Sequence, residues 1–290
     1  MTMNLQSELL GAVKQAAEYI QSRITAAGAA LPEWGLILGS GLGELADQVE
    51  EGVQIAYGDI PGFPVSTVEG HAGQLVIGRL EGRPVAVMQG RFHYYEGYSM
   101  RQVVLPVYVL RRLGVRVLVI TNAAGGMNRS FQPGDLMLIE DHLNMTGDNP
   151  LIGRNDADLG VRFPDMSTAY DPEYRSLART LAGRIQGEDG EALRLVAGVY
   201  CGISGPAYMT PAELTMLAEL GGDAVGMSTV PEVIAARHAG LRVLGISCIT
   251  DMAIGEELEP LTHEQVVAVA NRTKPKFTQL IRLFVQEAAV

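Results

Sequence analysis

The sequence predicts an α/β fold, one domain over residues 1–290, and three observations carry that reading. Strand-like and helix-like runs alternate from end to end. At 290 residues, with 47% hydrophobic and 19% charged residues, the chain can bury a sizeable core. Its 34 glycines punctuate the runs, as in a compact, glycine-turned enzyme.

Residues 5–27 form the first helix, since Leu9, Leu10, Val13, Ala16, Ala17, Ile20 and Ile24 fall on one face. A strand at 34–38 runs into Gly39-Ser40-Gly41-Leu42-Gly43, where backbone N–H groups at a helix start suit an anion. Taken alone, that loop is equally a tight turn that uses glycine. Residues 53–70, with Pro61 and Pro64, read as irregular. Strands at 74–80 and 84–89 flank a turn at Glu81-Gly82. Arg91, His93 and Tyr95 then alternate at period two, so an extended segment turns all three to one side. A helix at 100–113 leads to a buried strand at 115–120, which ends in Thr121-Asn122-Ala123-Ala124-Gly125-Gly126. A strand at 136–139 follows. Residues 147–170 are polar and aperiodic, and a loop of that length is functional or lies at a subunit contact. Next come a helix at 171–185, a strand at 195–200, a loop at 204–210 and a helix at 211–220. Residues 222–251 read as strand, helix, strand. Ser228 and Thr229 cap the helix, Pro231 sits in its first turn with Glu232 near the positive end, and Gly240 stops it. The second strand, 241–249, ends at Thr250 and Asp251. An acidic loop, 253–259, and an amphipathic helix, 262–287, close the chain.

Several function classes are excluded. The net charge of −11 argues against nucleic-acid binding, though not against a small anion held locally. Cys201 and Cys248 lie in apolar runs, as buried thiols do in a reducing compartment. The start lacks a signal-peptide pattern and no apolar run is long enough to span a membrane, so a cytoplasmic location is expected. No two of the five histidines stand at metal-ligand spacing, so no metal is expected. A dinucleotide fingerprint fails at Glu44, and a P-loop lacks its Gly-Lys-Ser/Thr ending. A serine-hydrolase elbow fails at both Ser40 and Ser204. His238, late in its helix, reads as a cap or packing residue. What remains is a set of phosphate-suitable donors: the 39–43 amides, Ser40, Arg91, His93 and Ser228. For Arg91, pairing with Glu96 is an equal alternative.

Taken together, the stretches LILGSGLGELA, EGHAGQLVIG, MQGRFHYYEGY, ITNAAGGMN, DHLNMTGDNPL, RFPDMSTAYD and GDAVGMSTVPEVIAARHAGLRV resemble the trimeric-type purine nucleoside phosphorylases over nearly the whole chain. The resemblance implies a central mixed β-sheet flanked by helices, a homotrimer, and reversible cleavage of a purine nucleoside by inorganic phosphate, with no other cofactor. It implies phosphate against Ser40, His71, Arg91, His93, the Ala123 backbone and Ser228, with Glu96 orienting His93. Tyr95, Met227 and His263 take the ribose, the last at its 5′-hydroxyl. Asn122, Tyr208, Met209, Thr250 and Asp251 line the base pocket, and His93 and Asp251 carry the chemistry. Phe163 reaches into a neighbouring subunit's site.

At two positions the sequence departs from members that prefer 6-oxopurines. Met209 stands where they carry Glu, and Asp251 where they carry Asn. Met cannot accept from N1–H, and an ionised Asp accepts but does not donate. Both changes favour 6-aminopurine nucleosides, unless Glu256 or Glu257 replaces the lost acceptor. The alternatives are a 5′-methylthioadenosine phosphorylase, which also carries Asp at this place, a dinucleotide-binding oxidoreductase, and a non-catalytic nucleoside-binding protein.

Overall fold

The computed structural model describes residues 5–39, 42–65, 72–187, 190, 192–258 and 262–290, without the side chains of 5–7 and 263. The strands are β1 (Trp34–Ile37), β2 (Glu50–Ala56), β3 (Gln74–Leu80), β4 (Arg83–Gln89), β5 (Val117–Gly126), β6 (Leu136–Met145), β7 (Leu195–Ile203), β8 (Ala224–Gly226) and β9 (Arg242–Met252). The helices are α1 (Leu5–Ala26), α2 (Met100–Leu113), α3 (Pro172–Ala182), α4 (Pro211–Glu219), α5 (Val230–His238) and α6 (His263–Glu287).

Among the described residues the strands form one mixed sheet, ordered β2-β3-β4-β1-β5-β8-β7-β6-β9. Strand β5 also pairs in parallel with β9, so β5, β8, β7, β6 and β9 close into a ring. Strands β4, β1, β5 and β9 run parallel to one another, and their carboxyl ends gather at one edge. Ligands of open α/β sheets bind at such an edge.

Helix α1 buries Val13, Ala16, Ala17, Ile20 and Ile24, the stripe its spacing predicts. It packs with α2 and α5 against one face of the sheet, while α3 and α6 cover the other. Helix α2 starts at Ser99, whose hydroxyl accepts from the Gln102 N–H. Helix α4 covers a smaller apolar cluster of Met127, Cys201, Ile203, Leu214 and Leu217.

Four expectations are corrected. Residues 53–56 belong to β2, which pairs antiparallel with β3; in this edge strand Ile55 is the one buried residue, so no alternation marks it. Strand β5 runs on to Gly126, and β6 to Met145, because ring closure gives their polar ends partners in β8, β9 and β7. The extended run carrying Arg91 and His93 stops at a 3-10 turn over Tyr94–Glu96. The helix of 171–185 is shorter than expected and ends at Ala182. Residues 147–170 hold no helix or strand, as expected.

His238 does pack. Its Nε2 lies 2.9 Å from Asn155 Oδ1 and its Nδ1 2.9 Å from the Tyr108 hydroxyl, tying the long loop to α2 and α5. Burial, with help from Arg162, holds its pKa below the ordinary histidine value.

Candidate active site

The carboxyl ends of β1, β4 and β5 meet around Arg91. Gly39 follows β1, and its N–H donates to Thr121 Oγ1 at 3.0 Å. A Cβ on Gly39 would come within 2.7 Å of Asn122 Cα, so only glycine brings this loop against β5. Ser40 and Gly41, directly after it, and His71 lie outside the described residues.

Arg91 is 2% exposed. Its Nη1 donates to Ser228 Oγ at 3.0 Å and its Nη2 to the Ile37 carbonyl at 3.4 Å. Its Nε lies 3.2 Å from Glu232 Oε1, which is also buried. Glu96 is engaged elsewhere, with His93. The His93 backbone N–H donates to Glu96 Oε1 at 2.7 Å, and His93 Nδ1 sits 3.0 Å from the same oxygen. A carboxylate at Nδ1 only accepts, so it fixes the ring's orientation and holds the neutral imidazole's proton on Nδ1. Tyr95 stacks on His93 with ring centroids 4.7 Å apart. Burial, then the charge of Glu96, pushes the Tyr95 phenol up to about 12, so it is a hydrogen-bond donor at neutral pH.

Ser228 owes its place to an unusual turn. The Val230 N–H donates to the Ser228 carbonyl at 2.8 Å across Thr229, whose φ of 75° and ψ of −53° define a γ-turn strained for a β-branched residue. Such a backbone costs about 1–3 kcal/mol and persists where its surroundings over-determine it. Here Glu232 Oε2 accepts the Thr229 N–H at 2.8 Å, and Asn122 Nδ2 donates to Thr229 Oγ1 at 2.8 Å. The Ser228 N–H donates to the Tyr200 hydroxyl at 3.4 Å. Ser228 Oγ accepts from Arg91 and shares a hydrogen bond with Thr229 Oγ1 at 3.1 Å.

Next along the edge lies an apolar and aromatic zone. A Cβ on Gly205 would fall 2.5 Å from Met227 Sδ and 3.2 Å from Tyr95 Cδ1, so Met227 and Tyr95 share one wall. Tyr208 is 58% exposed beside them, and its phenol is raised by burial and by the charge of Asp251. Asp251 pairs across the ladder with Gly125 and accepts from Thr250 Oγ1 at 2.8 Å. Burial raises its carboxyl above the ordinary range, and the Thr250 hydrogen bond opposes that. Met209 packs on the small apolar cluster beneath α4. Glu256 and Glu257 face away into Arg129, Glu256 at 2.9 Å.

The structure thus brings Arg91, His93, Tyr95, Asn122, Met227 and Ser228 together, with Tyr208, Thr250 and Asp251 beside them. Ala123 lies next to Asn122 on β5, opposite Cys248. His263 opens α6, its side chain outside the described residues. Phe163 stands 85% exposed on the long loop, with Arg162 over its ring. Sequence reasoning missed the reach of Glu232. Its signal was the Thr-x-x-Glu spacing of a capping box, which says nothing of an arginine on another strand.

The chain matches the Phosphorylase superfamily over residues 33–286. It is 56% identical over 278 residues to purine nucleoside phosphorylase 1 of Geobacillus stearothermophilus, covering 96% of this chain and 98% of the relative. A Schistosoma purine nucleoside phosphorylase solved with hypoxanthine superposes with a TM-score of 0.88, at 42% identity, over 96% and 97% of the two chains. The Schistosoma mansoni enzyme solved with adenosine gives 0.87 at 43% identity, over 96% and 97%. These likenesses set aside the oxidoreductase and do not favour the methylthioadenosine phosphorylase. The chain belongs to the purine nucleoside phosphorylase family of the Phosphorylase superfamily.

Proposed function

We propose that this chain cleaves purine nucleosides with inorganic phosphate, reversibly, to free base and ribose 1-phosphate, and that it is shifted toward 6-aminopurines. The single observation carrying the reaction is the buried Arg91 fork donating to Ser228 Oγ at the end of the parallel strands, with His93 alongside. Arg91, His93 and Ser228 then hold phosphate, joined by Ser40, His71 and the Ala123 backbone. Tyr95, Met227 and His263 hold the sugar. The base lies against Tyr208 among Asn122, Met209, Thr250 and Asp251.

Loss of the purine leaves an oxocarbenium-like sugar, and the bound phosphate supplies both its counter-charge and the nucleophile. Positioning and electrostatics therefore carry most of the rate. The leaving base needs its developing negative charge relieved at N7, where a protonated Asp251 can donate. Burial raises the Asp251 pKa and thereby enlarges that protonated fraction. Ionised, the same carboxylate accepts from a 6-amino group and repels O6. No metal or organic cofactor enters this scheme. Base release from adenosine, inosine and guanosine, with and without phosphate, tests it. The expected result is phosphate-dependent release, fastest in kcat/KM for adenosine. Release without phosphate dependence overturns the reaction, and a clear preference for inosine or guanosine overturns the 6-amino shift.

We further infer a cytoplasmic homotrimer. The exposed Phe163, with Ile152 and Val161 also exposed on the same polar loop, supports a neighbouring subunit there. The expected solution mass is three times the 31.1 kDa chain. A fully active monomer by light scattering overturns this reading.

A further inference from the structure

We propose that Glu232 is a positioning residue for phosphate, acting through Arg91 and through the turn that carries Ser228. The inference rests on the phosphate site proposed above and assigns a task to a residue outside it. Glu232 lies in the first turn of α5, 3% exposed, and its two oxygens do different work. Oε1 lies 3.2 Å from Arg91 Nε, on the side of the guanidinium away from the edge that donates to Ser228. Oε2 accepts the N–H of Thr229, the residue at the centre of the strained γ-turn. One carboxylate thus joins the end of β4 to the start of α5.

An explanation as a helix-dipole acid does not require this arrangement. An acid in the first turn of a surface helix stays in water, where its charge costs little. Glu232 is buried among Arg91, which faces it from the end of β4, and the phenols of Tyr57, Tyr170 and Tyr200. Burying a carboxylate is costly unless a cation and hydrogen bonds compensate it, and here Oε1 is ion-paired with Arg91 while Oε2 accepts the Thr229 N–H. What the arrangement secures is orientation. A guanidinium held at Nε presents its Nη edge in one plane, toward Ser228, and phosphate recognition by arginine depends on that planar fork. The same carboxylate stabilises the backbone twist that aims Ser228 Oγ at Arg91. Two phosphate ligands from elements 137 residues apart are then set by a single group.

Glu232→Gln tests this, because glutamine keeps the size but has one oxygen. Its NH2 must face either the Arg91 Nε–H or the Thr229 N–H, donor against donor. The expected result is a KM for phosphate raised about tenfold or more, with the KM for nucleoside within about twofold, the response of a group that touches one substrate through another. In the Arg91→Lys background, which lacks the Nε–H, the same change should raise the phosphate KM by much less, as coupled residues do. Equal rises in both KM values, an unchanged phosphate KM, or full additivity with Arg91→Lys overturn the proposal. So does a lowered phosphate KM, which would mean that Glu232 serves only to offset the charge of Arg91. Thermal melting of each variant confirms that folded protein is compared. Phosphate-dependent turnover by the unsubstituted enzyme is the control; its absence would overturn the functional reading rather than the task of Glu232.

Discussion

Asp251→Asn is expected to lower the adenosine-to-inosine ratio of kcat/KM by about 100-fold, equivalent to about 3 kcal/mol. The ionised carboxylate accepts from a 6-amino group and opposes O6; the amide can turn its NH2 to O6 and its oxygen to an amino group. The substitution thus removes a repulsion against inosine and weakens a charged hydrogen bond to adenosine. Discrimination of this size is usual where a buried partner is made or lost. The surroundings restrict the side chain, since Thr250 Oγ1 donates to Asp251 Oδ1 and Gly125 faces it across the ladder. The pH dependence carries the same sign. Because burial raises the Asp251 pKa, acidification through that value gives a neutral acid able to donate to O6. In the parent enzyme the adenosine-to-inosine ratio should therefore fall as pH is lowered, and in Asp251→Asn it should stay flat. Steady-state kinetics with both nucleosides across pH measure this. An unchanged ratio in the variant removes Asp251 as the selector. Glu256 and Glu257 do not compensate for Met209 in this structure, for both are paired with Arg129.

The parts of this fold that were legible in the sequence are those written in local chemistry. Helix α2 is a capped amphipathic run with bounds that need no tertiary information. The hairpin of β3 and β4 shows in two alternating runs around Glu81-Gly82, both at positive φ. Edge strand β2 was not legible, because its side chains are mostly solvent-facing and only its pairing with β3 makes it a strand. Nor was the ring of five strands, since Asn122 and Asp141 look like chain ends until β8, β9 and β7 supply their partners. The site divides in the same way. His93 and Glu96 are three residues apart, and their contact can be read locally. The partner of Arg91 lies far along the chain, and Glu96, the nearer acid, was the wrong one. Thr229 at positive φ is also silent in sequence, where Ser-Thr before Pro reads as an ordinary cap.

Arg91→Met should reduce kcat/KM for phosphate by about 1,000-fold while destabilising the fold by about 3–5 kcal/mol, and the two effects have separable causes. The functional loss follows from removing the guanidinium beside Ser228, the one buried arginine at this edge among the described residues. The stability loss has another origin. Methionine fills much of the same volume, but Glu232 keeps a buried charge with no cation against it, and breaking one half of a buried pair is far costlier than replacing both halves. Adding Glu232→Gln to Arg91→Met should therefore raise Tm relative to the single variant, since a neutral side chain still accepts the Thr229 N–H through its one oxygen. Phosphorolysis should stay lost, because nothing in the second change restores a donor to phosphate. Calorimetry and phosphate-dependent base release on the two variants decide the matter. If Tm is unmoved by the second substitution, the buried pair is not what Arg91→Met destabilised. If phosphorolysis survives in either variant, Arg91 does not hold the phosphate, and the centre of the site must be sought at the loop following Gly39.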